Sequence, residues 1–235
     1  MLTNTKKWFA DFTHLFFPHI CVGCGSDLLE NDQTICIQCY SQLPETGFSA
    51  HPNNPIEKIF YGRLPVKEAM AAYYFTKSSV LQRLVHTLKY NNNQEVGLQL
   101  GRWMGVLLQK SGRFSQLDAL IPLPLFPEKE KKRGYNQAEV LCQGICEIIN
   151  VPVKKDVVIR KRFTDTQTKK GRSDRWKNVD GSFEVANPAT LKGKHLLLVD
   201  DVITTGATIE ACGLAIAEIE NVELSIALLA WASDE

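Results

Sequence analysis

The segment 195–210, HLLLVDDVITTGATIE, constrains the fold of this chain more than any other stretch. Its first residues are apolar and predict a buried strand, and Asp200 and Asp201 come at the end of that strand. A turn rich in threonine and glycine follows and leads into a predicted helix. Two adjacent carboxylates in a partly buried place repel each other and lose hydration, so something else in the molecule or its ligand must compensate them.

Apolar strands alternate with amphipathic helices along most of the chain. The strands are apolar without polar alternation, which is typical of parallel strands covered on both faces. We therefore predict an α/β fold with a parallel sheet flanked by helices. The predicted strands are residues 69–76, 118–123, 157–160, 195–199 and 223–232, and the predicted helices are residues 79–89, 96–109, 136–149 and 208–220.

Length and composition fit one large domain, or one domain and a small module. The chain has 235 residues, 44% of them hydrophobic, and a formal net charge of +1, so any basic surface must come from local clustering. Residues 8–16 predict a short amphipathic helix, which we expect to pack on the body rather than to anchor the chain in a membrane. The sequence contains neither a signal-peptide pattern nor an apolar run of membrane-spanning length, so we expect a cytoplasmic protein.

Four of the seven cysteines form two Cys-x-x-Cys pairs, Cys21 with Cys24 and Cys36 with Cys39. Each pair can form a turn that points two thiolates at one ion, and two such turns complete a tetrahedron around zinc. We predict a structural zinc site, because four protein ligands leave no open position for catalysis. Redox-active dithiols and simple buried cysteines are the alternatives. The other three cysteines, Cys142, Cys146 and Cys212, are expected to be packing residues.

A polar stretch at residues 49–55 separates this cysteine region from the rest and predicts a linker. We therefore divide the chain into an N-terminal helix and zinc module, residues 1–48, and an α/β domain, residues 49–235.

The turn after the two aspartates combines hydroxyl groups with a tight backbone bend. Thr204, Thr205 and Thr208 supply hydroxyls, and Gly206 exposes backbone N–H groups at the positive end of the next helix. This combination predicts a cradle for one phosphate monoester, and carboxylates beside it would accept hydrogen bonds from a sugar diol. A purely structural helix cap is the alternative. Neither a P-loop nor a dinucleotide-binding glycine motif is present.

The string DDVITTGAT resembles the phosphoribosyl-diphosphate loop of type I phosphoribosyltransferases. The resemblance implies that the acidic pair contacts the ribose hydroxyls of phosphoribosyl diphosphate (PRPP), and that magnesium accompanies the diphosphate. By the same resemblance the ribose residues are Asp200 and Asp201, and the 5′-phosphate residues are Thr204, Thr205, Gly206, Ala207 and Thr208.

A wider pattern is similar to the ComF family over almost the whole chain. It comprises Cys21 to Cys39, Leu88 to Tyr90, residues 121–124 (IPLP), residues 133–138 (RGYNQA), Arg160, Thr166, Gln167, Arg172, Arg175, Asn178 and Phe183, and then the aspartate pair. ComF-type proteins join a zinc module to a phosphoribosyltransferase domain. Some are implicated in natural transformation, the uptake of single-stranded DNA, and others are named for carbohydrate utilisation. The resemblance thus implies single-stranded DNA and competence-machinery proteins as further partners.

Residues 160–177 are strongly basic and lie between two predicted strands. In type I phosphoribosyltransferases a mobile loop at the corresponding place closes over the diphosphate, and positive charge there would stabilise the leaving group. Arg160, Arg172 and Arg175 are our candidates for this role. A solvated charged surface is the alternative.

A second basic cluster covers residues 129–133 and ends at Arg133. Together with the first it could form a groove for a nucleic-acid backbone, with Tyr135, Phe163 and Trp176 as stacking surfaces. Lys89, at the end of a predicted helix, could reach a phosphate or only complement the helix dipole. The candidates for phosphate or DNA contact are Lys89, Arg133, Arg160, Arg172 and Arg175.

Three functions fit these observations. The first is magnesium-dependent phosphoribosyl transfer with release of diphosphate to an unknown acceptor. The second is a non-catalytic competence protein that binds single-stranded DNA. The third is a metabolic scaffold or regulator that senses PRPP. The sequence names no general base, so it leaves open whether the protein is an enzyme.

Overall fold

A computed structural model describes residues 20–27, 29, 33–91, 93–161 and 182–232. Four strands form a parallel sheet in the order β1-β6-β5-β2, and the other two pair separately. Parallel pairing brings the carboxyl ends of the four strands to one edge of the sheet, where open α/β sheets bind their ligands. The strands are β1 (Ala69–Tyr74), β2 (Ala119–Pro122), β3 (Val158–Arg160), β4 (Phe183–Val185), β5 (His195–Ile203) and β6 (Glu223–Trp231).

Seven α-helices lie within the described residues, and most begin at a polar cap. The side chains of Asn54, Ser79, Asn93 and Asn136 each accept a hydrogen bond from a backbone N–H of the helix that follows. The helices are α1 (Ile37–Ser41), α2 (Pro55–Phe60), α3 (Val80–Tyr90), α4 (Gln94–Ser111), α5 (Pro127–Arg133), α6 (Gln137–Ile149) and α7 (Ala207–Ala217), with a short 3-10 helix at Pro188–Thr190.

The predicted parallel sheet flanked by helices is confirmed. β2 is buried along its whole length, and β1 and β6 are buried except at their end residues, because helices cover both faces of the sheet. The backbones of helices α4 and α6 are in close contact. A Cβ atom at Gly101 would lie 2.3 Å from the Leu141 carbonyl oxygen, and one at Gly144 would lie 2.2 Å from the Leu98 carbonyl oxygen. Only glycine at both positions permits this backbone contact.

Two strand predictions were wrong in part. β5 does not end at residue 199 but continues to Ile203, because β6 supplies backbone partners as far as Trp231. The two aspartates therefore lie within the strand, just past the point where pairing with β2 stops at Val199. Residues 157–160 do not join the parallel sheet. They form β3, which pairs antiparallel with β4, and these two strands flank residues 162–181.

Five short elements of the described residues were not predicted: helices α1, α2 and α5, strand β4 and the 3-10 helix at Pro188–Thr190. β4 has three residues and only its first is buried, so it carries no recognisable pattern. Helix α5 has no buried residue at all, and hydrophobic periodicity cannot detect such a helix.

The polar stretch 49–55 packs against the sheet. The side-chain amide of Asn54 donates hydrogen bonds to the carbonyl oxygens of Phe48, His51 and Ala69 at 2.8–3.2 Å. The Arg113 guanidinium contacts Glu57 at 2.5 Å and also pairs with Glu68. These contacts make the stretch a packed junction rather than a free linker. The division into residues 1–48 and 49–235 stays a prediction.

Several expectations fall on residues outside the described ones. They are the amphipathic helix at residues 8–16, Arg172 and Arg175, the stacking candidates Phe163 and Trp176, and most of the basic segment 160–177. Among the helices that the structure describes, none combines the length and the apolar character needed to cross a bilayer.

Candidate functional site

The two aspartates of β5 project from the sheet at its carboxyl edge and have different environments. Asp201 is 8% exposed, and its Oδ2 atom lies 2.9 Å from Nζ of Lys89, the penultimate residue of α3. The Lys89 ammonium therefore compensates one of the two carboxylates. Strand and helix are far apart in sequence, so only the packing of α3 brings this cation to the site.

Asp200 lacks such a direct partner among the described lysines and arginines. Its Oδ1 atom accepts a 2.8 Å hydrogen bond from the Asp201 backbone N–H. Burial, together with the neighbouring Asp201 carboxylate, raises the pKa of Asp200 to about 8, and Lys89 and Arg160 only partly oppose this effect. Burial and the Asp201 charge thus favour the protonated form of Asp200 in the free protein, and protonation lessens the repulsion within the pair.

Arg160, at the end of β3, is held between two aromatic rings. Its guanidinium carbon lies 3.8 Å from the ring centroid of Phe126 and 5.1 Å from that of Phe183. The Nε atom is buried and has no hydrogen-bond partner among the described residues. Burial lowers the pKa of Arg160, while the charge of Asp200 opposes that shift. The two rings thus hold a cation whose charge acts on Asp200.

The threonine-rich turn lies between β5 and α7. Thr204, Thr205 and Thr208 are exposed, and Gly206 has a φ of 78°, in the left-handed region that favours glycine. Gly206 is also the N-cap of α7, and no side chain in the described part of the chain caps this helix end. The first backbone N–H groups of α7 are consequently available to an anion.

Helix α2 lies directly beneath this turn. A Cβ atom at Gly206 would lie 2.9 Å from Cγ2 of Ile59 and 3.2 Å from Cε1 of Phe60. Past the end of α2, the Arg63 guanidinium pairs with the carboxylate of Glu210 in the first turn of α7. Arg63 thus neutralises the one acidic side chain in that turn, which would otherwise oppose an anion.

The second basic cluster reaches the same edge of the sheet through Arg133. The Arg133 guanidinium donates a 2.6 Å hydrogen bond to Oε1 of Gln137 and lies 5.7 Å from the ring centroid of Tyr90. Tyr135, predicted as a stacking surface, is only 8% exposed, and its hydroxyl donates to the Leu88 carbonyl oxygen. That prediction is wrong, because Tyr135 supports the end of α3 from inside and cannot present its ring to a ligand.

The four cysteines of the N-terminal region meet at one point. Their sulfur atoms all lie within 4.8 Å of one another, and Cys21–Cys39 and Cys24–Cys36 are each separated by 3.7 Å. Zinc–sulfur bonds of about 2.3 Å in a tetrahedron place sulfur atoms about 3.8 Å apart. The cluster can therefore hold a zinc ion. Although burial alone would raise it, the pKa of Cys21 is lowered to about 7, because backbone N–H groups including that of Cys36 donate to its sulfur.

Comparisons with known proteins point in one direction. Residues 131–233 match the phosphoribosyl transferase domain family. The DNA utilization protein YhgH of Salmonella typhimurium is 29% identical over 206 residues, which are 83% of this chain and 89% of that protein. Competence protein F of Haemophilus influenzae is 26% identical over 225 residues, or 90% of this chain and 96% of the relative. Competence protein ComFC of Bacillus subtilis is 30% identical over 99 residues, or 42% and 38% of the two chains.

These similarities to competence and DNA utilization proteins support the resemblance of this chain to the ComF family. One solved structure, a glutamine PRPP amidotransferase from B. subtilis complexed with ADP and GMP, aligns with a TM-score of 0.41 and 18% identity. It covers 60% of this chain and 30% of the other, and this similarity is too weak to support a structural argument.

The structure brings together Lys89, Asp200, Asp201 and Arg160, with the turn 204–208 following directly on β5. Arg133 is linked to them through Tyr90. Phe126, Arg63 and Tyr90 were not predicted from the sequence as residues of the site. Tyr90 was visible within the Leu88 to Tyr90 part of the family pattern, whereas no sequence signal connects Phe126 or Arg63 with the site. The roles of all these residues in ligand binding stay predictions.

Proposed function

We propose that this protein binds PRPP with magnesium at the carboxyl end of β5 and transfers its phosphoribosyl group to an acceptor with release of diphosphate. The observation that carries the proposal is the pair Asp200 and Asp201 directly before an uncapped helix start. The phosphoribosyl transferase domain match over residues 131–233 supports it.

Each part of PRPP has a matching group of side chains in this proposal. The 5′-phosphate binds to the backbone N–H groups at the start of α7 and to the hydroxyls of Thr204, Thr205 and Thr208, with Gly206 and Ala207 forming the turn. The ribose hydroxyls donate to Asp200 and Asp201. A carboxylate that accepts hydrogen bonds is favoured in its charged form, so ligand binding should lower the pKa of Asp200.

Magnesium fits this site as a companion of the diphosphate. Carboxylate oxygens are suitable ligands, but Lys89 already occupies Asp201, so the oxygens of the substrate would hold most of the ion. Bound magnesium would supply positive charge to the diphosphate.

The transfer step needs positive charge beside the leaving diphosphate. The acceptor lone pair forms a bond to the anomeric carbon, and the diphosphate departs with the electron pair of the broken C–O bond. We assign charge stabilisation of this diphosphate to Arg160, and to Arg172 and Arg175 of the basic segment.

A second candidate function is binding of single-stranded DNA in natural transformation. The observation in its favour is α5, whose residues are without exception not buried and whose last turn carries Lys131, Lys132 and Arg133. An exposed cationic helix suits a phosphate backbone. The names of the relatives, DNA utilization protein and competence protein, agree with this role and with partners from the competence machinery. In both functions we assign a structural zinc ion to Cys21, Cys24, Cys36 and Cys39, and a cytoplasmic location.

Calorimetry with PRPP and magnesium tests the ligand. We expect binding by the wild-type protein and a loss of at least about tenfold in affinity for Asp200→Ala and Thr205→Val. Asp156→Asn, at an exposed carboxylate just before β3, is the matched control and should bind normally. Absence of heat with the wild-type protein would refute the ligand assignment.

A screen for diphosphate release distinguishes an enzyme from a binding protein. PRPP is incubated with nucleobases, amines or single-stranded DNA, and diphosphate is measured in each. Release that depends on one acceptor supports transfer. If the protein binds PRPP but releases no diphosphate with any acceptor, the assignment of PRPP as the ligand stands and the transferase activity is refuted.

A further inference from the structure

Tyr90, the last residue of α3, presents an aromatic ring to solvent beside the candidate site. Its residue surface is 64% exposed, so the ring gains little from packing within the described part of the protein. The His86 ring lies 4.8 Å away, one helical turn earlier, and the Arg133 guanidinium lies over the Tyr90 ring at 5.7 Å. An exposed ring flanked by a second ring and a cation is a suitable surface for another flat, electron-rich group.

Three contacts hold the residues next to this ring and the cation over it in place. Lys89, the preceding residue, is bound to Asp201 at 2.9 Å. The Leu88 carbonyl oxygen accepts a hydrogen bond from the Tyr135 hydroxyl. Arg133 is oriented by its 2.6 Å hydrogen bond to Gln137. A ligand that stacks on Tyr90 would therefore lose little further side-chain entropy of the protein.

The location of Tyr90 connects this surface to the ribose carboxylates. α3 ends at the carboxyl edge of the sheet, since Lys89 reaches Asp201 there, and α5 with Arg133 follows the carboxyl end of β2. Arg133 places positive charge over the ring, and the helical turn that carries Arg133 also contains Lys131 and Lys132. The favoured ligand is therefore both flat and attached to a phosphate.

We propose that Tyr90, His86 and Arg133 form a stacking surface for a heteroaromatic base, next to the ribose-binding carboxylates. This inference rests on the proposed function and deepens it by naming the chemical class that binds beside the phosphoribosyl group. The base belongs either to a free nucleotide or to a single nucleic-acid strand, since both present the same ring and phosphate.

The experiment compares ligands that differ only in the ring. Wild type, Tyr90→Ala and Tyr90→Phe are titrated at one salt concentration with a labelled oligothymidylate and with an abasic strand of the same length. AMP and ribose 5-phosphate form the second pair, measured by calorimetry. Tyr61→Ala is the control, because Tyr61 is also exposed, at 56%, but donates its hydroxyl to Asn53, and no cation of the described residues lies over its ring.

We expect the wild-type protein to bind the ligand with a base about 5- to 100-fold more tightly than its baseless counterpart in at least one pair. Tyr90→Ala should reduce that ratio to near one, while Tyr90→Phe and Tyr61→Ala should preserve it. An effect in the oligonucleotide pair identifies a nucleic-acid strand as the source of the ring, and an effect confined to AMP identifies a free nucleotide.

A ratio near one in both pairs for the wild-type protein, or a ratio unchanged in Tyr90→Ala, overturns the proposal. PRPP binding is measured in parallel on the wild-type protein. Its absence would refute the ribose site without affecting the comparison of ligands with and without a base.

Discussion

At the scale of single residues, Lys89 is the side chain on which the acidic pair depends most. The Lys89 side chain is 21% exposed and the Asp201 side chain is 11% exposed, so the pair is largely removed from water. A cation in this position compensates Asp201 in the free protein, and in the proposed function it would also complement the negative charge of a bound phosphate. The pair therefore links the stability of α3 with the state of the ligand site.

Replacing Lys89 by methionine leaves Asp201 buried without its cation. We expect the free energy of unfolding to fall by about 1–3 kcal/mol, because an unpaired charge keeps its desolvation cost. The measurement is urea unfolding at pH 7. Lys67→Met is the matched control, since Lys67 and Glu223 form an exposed pair that should contribute less than about 1 kcal/mol.

Adding Asp201→Asn to Lys89→Met should recover part of the lost stability, because the uncompensated charge is then removed. Equal losses of stability in Lys89→Met and Lys67→Met would contradict the importance of this pair.

At the scale of elements, α2 packs directly against the threonine-rich turn. Ile59 and Phe60 occupy the space that a side chain at position 206 would need, while the first turn of α7 is tied to Arg63 just beyond α2. The shape of this turn is thus set by a helix that lies far earlier in the sequence. The left-handed backbone of Gly206 depends on that support as well as on the local sequence.

Gly206→Ala tests this packing. The variant combines a left-handed conformation, which costs an alanine about 1–2 kcal/mol, with close contacts to Ile59 and Phe60 worth roughly another 1–3 kcal/mol. Gly62→Ala is the matched control, because Gly62 has a similar φ of 70° and a Cβ atom there would meet nothing within 4 Å. Both free energies of unfolding are measured in urea.

We expect Gly206→Ala to lose more free energy of unfolding than Gly62→Ala. The difference should equal the contribution of the close contacts with Ile59 and Phe60. If the two variants lose the same stability, α2 does not support the turn.

At the scale of the whole molecule, the cysteine cluster is attached to the sheet and to the helix that carries Lys89. Nε of Arg83, on α3, donates a 2.6 Å hydrogen bond to the Gly23 carbonyl oxygen within the first Cys-x-x-Cys turn. The ring centroids of Tyr40 and Trp103, on α4, are 4.5 Å apart. The backbone of Glu45 pairs with that of Tyr73, on β1, in an isolated antiparallel β-bridge. The cluster and the α/β fold therefore share an extensive interface.

Loss of the metal should consequently destabilise the entire protein. We expect Cys39→Ser to reduce zinc well below one ion per chain and to lower the Tm by about 5–10 °C, since roughly 2–3 kcal/mol shifts the Tm of a chain of this size by that amount. Cys146→Ser, on α6 and outside the cluster, should retain both zinc and Tm. Zinc content is measured by elemental analysis and the Tm by calorimetry. A metal-free wild-type protein with an unchanged Tm would refute the structural role.

Features that depend on neighbours in the chain could be predicted from the sequence. Apolar runs located the four parallel strands, two Cys-x-x-Cys turns located the cluster, and the aspartate pair with its threonine-rich turn located the candidate site. In each case the interacting groups lie within one element, one turn or two turns close in sequence, so spacing decides which atoms can meet. Periodicity failed for α5 and for β4, because α5 buries no residue and β4 is only three residues long.

The tertiary structure decided which side chains from distant elements meet. It placed Lys89 on Asp201, held Arg160 between Phe126 and Phe183, buried Tyr135 and exposed Tyr90. It also extended β5 past both aspartates, because β6 pairs with that strand to its end. Such contacts depend on how helices pack on the sheet. No local pattern encodes that packing, since the same residue types suit either a core or a surface until their neighbours are in place.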